Sequence, residues 1–196
     1  MREVALQGSS PIVWSIAHRR VWAALLLGVI GVVALAISAK IEIPWWPVPM
    51  TMQTYVVLVI GMAYGTRLGV ATVLAYLAIG ALGFPVFAGT PERGIGIVYM
   101  IGPTGGYLLG FAVAAWLCGV FTARGWDRRL AYALIGMALA HVVILGVGVL
   151  WLSALVGWER AIRLGVIPFV AATVAKTLLA GWTLPAAWRL VDRLSS

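Results

Sequence analysis

The sequence predicts an all-α integral membrane protein, a bundle of six transmembrane helices with both termini in the cytoplasm. Three observations predict it. The 196-residue chain is 63% hydrophobic and only 10% charged, where a soluble domain carries about 25% charged residues, and its mean hydropathy is +1.03. Its apolar runs are long enough to span a bilayer as helices, the structure that satisfies every backbone polar group internally, and they lack the alternation in segments of about ten residues that a barrel would show. The net charge of +8 is scattered between the apolar runs as a topology code, not gathered into a nucleic-acid-binding face.

Residues 1–20, "MREVALQGSSPIVWSIAHRR", lack the basic-then-apolar order and small-residue cleavage site of a signal peptide, so a cytoplasmic segment is expected before a retained first span. Helices are predicted over about 21–39, 51–64, 67–83, 103–123, 130–156 and 166–190, giving a membrane domain of 21–190 and a cytoplasmic tail of 191–196. The second is short against the roughly twenty residues a span needs. The stretch "YGTRLG" at 64–69 has two glycines flanking an arginine, which signals a turn. If 51–83 were instead one long helix, the count would be five. With six spans, one side receives Arg2, Arg19, Arg20, Arg67, Arg124, Arg128, Arg129, Arg189 and Arg193; the other receives Lys40, Arg93, Arg160 and Arg163. The richer side is cytoplasmic by the positive-inside rule, and Trp22, Trp126, Trp158 and Trp188 fall where interfacial belts would lie.

Two outer connections are too apolar for ordinary loops: "IEIPWWPVPMTMQ" at 41–53 and "GFPVFAGTPERGIGIVYMIGPTGGY" at 83–107. They suit lids packed over an outward-facing cavity. Below them, "IPFVAATVAKTLLAGWTL" at 167–184 carries Lys176 in an otherwise apolar helix, with no acid within four residues. Pro168 suits the first turn, so Lys176 lies about 12 Å down the axis, near the middle of a layer about 30 Å thick. A lysine there costs roughly 2.5–3.5 kcal/mol. Its bland reading is a lysine bonded to carbonyls and hydroxyls between helices. Its functional reading is a stripe of Phe169, Thr173 and Lys176 offering an aromatic, a hydroxyl and a cation to an anion. Helices two, four and six would begin at the outer face, aiming positive ends at the same cavity. "GPTGGY" opens the fourth, with Thr104 as a candidate cap and glycines that admit close approach; the rival reading is a tight re-entrant turn. Together these features point to a small carboxylate-bearing ligand.

The remaining residues read more plainly. Cys118 is a core hydrophobe, and His141 is expected as a buried, hydrogen-bonded histidine rather than a proton relay or metal ligand. Trp45 and Trp46 serve equally as belt or lid, and Glu92 with Arg93 reads as a solvated loop pair. Ala24, Gly28 and Gly31 would allow close helix contact, within the bundle or with a partner. No phosphate loop, H-E-x-x-H, G-x-S-x-G or intramembrane acid–base pair is present, which argues against an enzyme and gives no cofactor or metal to expect.

In combination, "IPWWPVPMTMQT", "LGFPVFAGTPERGIG", "GPTGGYLLGF" and a last helix with "PF" eight residues before a lysine closely resemble the BioY family, the biotin-specific S components of energy-coupling factor transporters, over about residues 21–190. The resemblance implies an S-component bundle in the bacterial cytoplasmic membrane and a biotin pocket near the outer face, capped by the first and third connections. It implies a transmembrane coupling subunit and two ATPase subunits as partners, docking through small residues of the first helices, here Ala24, Gly28 and Gly31. The lipid bilayer is its surround, nucleic acid is no partner, and self-association is open. The implied ligand-binding residues are Lys176, Thr173, Tyr107, Trp46, Phe87, Gly89 and Tyr99, with the valerate carboxylate on Lys176. Many relatives carry an aspartate where this sequence has Thr173, which leaves Lys176 less tied down and puts affinity in question. The rivals are an S component for another anionic vitamin, a membrane enzyme acting on a lipid head group, and a structural adaptor.

Overall fold

The computed structural model describes residues 21–43 and 46–194. The 1–20 segment with Arg2, Arg19 and Arg20, Trp45, and the end of the tail lie outside the described residues. Helix α1 spans Val21–Lys40. A two-stranded antiparallel hairpin follows, β1 Glu42–Ile43 and β2 Met50–Thr51. Then come α2 Gln53–Ala81, a short α3 Gly96–Met100, α4 Gly105–Thr122 and a 3-10 turn Trp126–Arg128. The chain ends with α5 Leu130–Val156, α6 Trp158–Gly165 and α7 Phe169–Leu194. Five of the described helices, α1, α2, α4, α5 and α7, are long and apolar enough to cross a membrane.

Helix α2 is not straight. Its backbone leaves helical geometry at Gly65, with φ 74° and ψ −179°, a conformation glycine reaches without penalty. Past this break the chain folds back: a Cβ on Gly69 would lie 3.2 Å from the Gly61 Cα, whereas eight residues of continuous helix would separate them by about 12 Å. The turn signalled by "YGTRLG" is therefore present, and residues 53–64 and 66–81 form two arms in close contact. The first arm is shorter than a full span.

Small residues let the backbones of the bundle approach, as packing in lipid requires. A Cβ at Gly61 would lie 2.8 Å from Cys118 Cβ and 2.9 Å from the Ala115 backbone. One at Gly110 would lie 3.0 Å from Ile144 Cα. Cys118 is fully buried in this core. Helix α1 packs on α2 through Gly31, whose Cβ would lie 2.6 Å from Thr72 Cγ2, so Gly31 is used within the chain and is not open to a partner. Tyr64 Oη also donates to the Leu27 carbonyl at 3.0 Å. The far side of α1, with Leu25, Leu26, Val29, Val33 and Ile37, is exposed.

Two of the four tryptophans assigned to interfacial belts are exposed, Trp22 and Trp158. The other two are held by contacts within the chain. Trp126 stacks on Phe121 at 4.5 Å. Trp188 is 4% exposed and donates its indole N–H to Asp127 Oδ2 at 2.6 Å, with the Arg128 guanidinium 3.7 Å from its ring centroid. Asp127 is fully buried, and a buried carboxylate needs such a donor. Burial pushes its carboxyl above the usual carboxylate range, opposed by the Trp188 hydrogen bond and by Arg128. Helix α6 occupies a stretch expected to be loop. Ala161 and Gly165 are buried while Trp158, Glu159, Arg160 and Arg163 are exposed, which is the amphipathic pattern of an interfacial helix.

Two outcomes follow for stability. Gly61→Val should destabilise the detergent-solubilised protein by about 1–3 kcal/mol through overpacking, read as a lowered unfolding midpoint. Trp188→Phe removes the N–H that favours ionised Asp127, so its cost, about 1–3 kcal/mol, should be full near pH 7. It should shrink as the pH falls through the raised Asp127 pKa and the carboxyl takes up a proton.

Candidate functional site

Both unusual connections fold over one end of the bundle. The hairpin places Val48, Pro49 and Thr51 beside the start of α2. Thr51 Oγ1 donates to Gln53 Oε1 at 3.3 Å and accepts from the Gln53 backbone N–H at 3.2 Å. Gln53 Nε2 donates to Tyr76 Oη at 2.7 Å, and Tyr76 donates in turn to the Val86 carbonyl at 3.0 Å. The second connection is held from the other side by Lys40. Its ammonium donates to the Phe87 carbonyl at 3.0 Å, the Thr90 carbonyl at 3.1 Å and Thr90 Oγ1 at 3.0 Å. Phe87 is fully buried against Tyr76, edge-on at 5.5 Å, and stacked on Tyr99 at 5.0 Å. Gly80 makes room for that ring, since any Cβ there would collide with Phe87.

Beneath these lids lies a narrow cavity of about 40 Å³, room for roughly three waters. Its floor and walls are Tyr107, Leu108 and Phe111 from α4, His141, Ile144 and Leu145 from α5, and Phe169, Thr173 and Lys176 from α7. The lids contribute Thr51, Ala88, Tyr99 and Thr104, and α2 contributes Gln53 and Thr54. Apolar walls carrying a few convergent polar groups are the usual form of a small-molecule site.

Lys176 is the cation on this wall. Its Nζ donates to the Thr51 carbonyl at 2.6 Å and to Thr54 Oγ1 at 3.3 Å. Both partners are neutral oxygens; Glu159 and Arg163, 3.7 Å apart on exposed α6, form an ion pair elsewhere. The plain reading of the lysine thus describes its resting contacts, and those contacts lie at the cavity. No group of three or more His, Cys, Asp or Glu side chains that could hold a metal occurs among the described residues.

The structure brings together four of the seven ligand-binding residues expected from the sequence, Lys176, Thr173, Tyr107 and Tyr99, on one cavity. Tyr107 offers its ring: its hydroxyl is engaged with the Gly165 carbonyl at 2.7 Å, and the ring lies against Phe169 at 6.1 Å. Phe87 stands behind the wall as support for Tyr99. Gly89 adopts φ +64°, where a Cβ would lie 2.6 Å from Arg93 Cδ, so it shapes the lid. Trp46 is 72% exposed and borders a separate groove with Val156, Arg160, Arg163 and Leu164. Its place on the cavity is corrected accordingly, because the hairpin turns the tryptophan outward and buries Val48 instead. The glycines of "GPTGGY" serve packing. A Cβ at Gly105 would strike the Met100 carbonyl and one at Gly106 the Trp151 side chain, while Thr104 makes no side-chain cap.

Sequence reasoning missed Lys40, Thr51, Gln53, Thr54 and Tyr76. The polar cluster in "MTMQT" at the mouth of an apolar helix was the available signal for three of them. His141 is buried and hydrogen-bonded as expected, with Nδ1 3.2 Å from the Met137 carbonyl and 2.9 Å from Thr177 Oγ1, and it also borders the cavity.

Comparison with known proteins agrees with this architecture. The chain is 38% identical to a probable biotin transporter BioY of Pyrococcus horikoshii over 145 residues, covering 74% of this chain and 83% of that one. It is 33% identical to the biotin transporter BioY of Thermotoga maritima over 147 residues, covering 74% and 84% respectively. The fold matches the crystal structure of an S-component for biotin from an ECF-type ABC transporter with a TM-score of 0.71, covering 85% of this chain and 90% of that one at 22% identity. The family model for BioY matches residues 11–193. The chain belongs to the BioY family.

Proposed function

We propose that this multi-pass membrane protein is the biotin-binding subunit of an ECF-type transporter, a transport protein and not an enzyme. Relatives that carry the name biotin transporter support the ligand, and the matching S-component supports the assembly. On this reading the partners are a transmembrane coupling subunit and two ATPases, and the location is the cytoplasmic membrane of a bacterium. The folded-back α2 and the asymmetry of basic residues support six spans with both termini inside. Of the small residues assigned to docking, Ala24 and Gly28 are half-buried at the margin of the α1–α2 contact, so a coupling partner would meet them along with the exposed side of α1.

One observation carries the site assignment: an ammonium on the wall of an apolar cavity, satisfied among the described residues by a carbonyl and a hydroxyl. A cation placed there gains most from an anionic oxygen, because charge-assisted hydrogen bonds strengthen where water is excluded. Biotin's valerate carboxylate supplies one, with Thr173 beside it and Tyr99, Tyr107 and Phe169 enclosing the apolar atoms. The cavity is smaller than biotin, so the lids must yield on binding.

Purified protein should bind biotin below about 1 μM. Lys176→Met should weaken that binding by roughly 10- to 100-fold, the loss of a charged hydrogen bond, while leaving the ligand-free melting temperature unchanged or raised. Biotin methyl ester should bind the wild type about as weakly as biotin binds the variant. Equal binding of acid and ester would refute the carboxylate assignment. Lys40→Met, which releases the second lid from α1, should speed biotin dissociation by about tenfold; unchanged dissociation would mean that this latch does not retain ligand.

A further inference from the structure

His141 has one nitrogen engaged and one buried without a partner among the described residues. It is 1% exposed, it borders the same cavity as Lys176, and its Nε2 is buried with no hydrogen-bond partner among the described residues. A buried polar atom left without a partner costs about 1–3 kcal/mol, so its retention on an apolar helix asks for a use. The proton can be placed from the other nitrogen. Nδ1 lies 3.2 Å from the Met137 carbonyl, which can only accept. The other atom near Nδ1, Thr177 Oγ1 at 2.9 Å, can accept as well as donate. The arrangement with no clash of lone pairs puts the hydrogen on Nδ1, leaving Nε2 as a bare acceptor. A carboxylate has no hydrogen to offer it; an N–H does.

Lys176 and His141 reach the cavity from different helices, α7 and α5. The lysine reaches toward Thr51 and Thr54 at the hairpin and α2. The imidazole comes from α5, tied to α7 through Thr177. A ligand filling this cavity meets the Lys176 ammonium, which suits an anion, and the His141 imidazole, which suits an N–H donor. We propose that His141 is a specificity-determining residue whose Nε2 accepts a hydrogen bond from a ring N–H of a cyclic urea, while Lys176 holds the carboxylate. This deepens the biotin reading and rests on it. It also gives a physical basis for rejecting ligands that carry a carboxylate but no N–H, since they would bury Nε2 unpaired.

The test measures binding of biotin and of its two singly N-methylated ureido derivatives to full-length wild type, His141→Leu and His141→Gln. His141→Leu should lose roughly 10- to 30-fold for biotin and change less than about threefold for the derivative methylated at the contacted nitrogen. His141→Gln, whose side-chain carbonyl can accept, should recover part of the loss. Equal losses for biotin and both derivatives, or no loss, would overturn the inference while wild-type binding of biotin keeps the transport reading intact. Failure of wild type to bind biotin overturns both. Should the variants not fold, ¹⁵N-histidine-labelled wild type gives the answer: biotin should move the resonance of an unprotonated Nε2 and the N-methylated derivative should not, and an unmoved resonance refutes the contact.

Discussion

Hydrocarbon offers nothing to a polar group, and the hydrogen bonds of Lys176 are the clearest consequence in this molecule. Its ammonium is satisfied by the Thr51 carbonyl and the Thr54 hydroxyl, which ties α7 to the first lid and to the mouth of α2. From Thr51 the bonds continue through Gln53 and Tyr76 to the Val86 carbonyl in the second lid. Lys40 closes the far side on Phe87 and Thr90. Two lids distant in sequence therefore share one connected set of polar contacts that begins at the cavity.

The rest of the bundle is arranged so that this set can exist. Glycines at 61, 69 and 110 bring backbones close enough for dispersion to hold the helices together. The break at Gly65 folds α2 on itself, so that Gln53 in one arm reaches Tyr76 in the other. At the opposite end the Asp127–Trp188 bond joins the turn after α4 to α7. Behind Tyr99 on the cavity wall, Phe87 and Tyr76 form a stacked and edge-on aromatic support. The family assignment fits these features, since they fall within the matched region of the chain.

Much of this was legible in the sequence, for identifiable reasons. The long helices follow from apolar runs whose ends carry charge or glycine, and α5 begins and ends where the sequence places it. The turn near Gly65 follows from glycine chemistry, and Lys176 stands out because no acid lies within four residues of it. What was not legible depends on contacts across the chain. The partners of Lys176 lie 125 and 122 residues away. In α5 apolar residues surround the helix, so no polar face tells which way His141 points. Trp46 and Trp188 look alike in sequence, yet the hairpin exposes one and a buried aspartate captures the other. Helix α6 is too short and too charged to stand out from a loop, and only its two buried small residues reveal its inner side.

The neutrality of the lysine's partners has an electrical meaning. A positive charge whose partners among the described residues are neutral, carried on a helix able to cross a membrane, would sit in the transmembrane field, where an elementary charge crossing the full potential changes energy by about 2.3 kcal/mol per 100 mV. An anion seated on Lys176 would cancel that charge locally. The ligand-free and occupied forms of the bundle would then differ in how strongly the membrane voltage acts on them, and any displacement of the occupied site across the bilayer would carry almost no current.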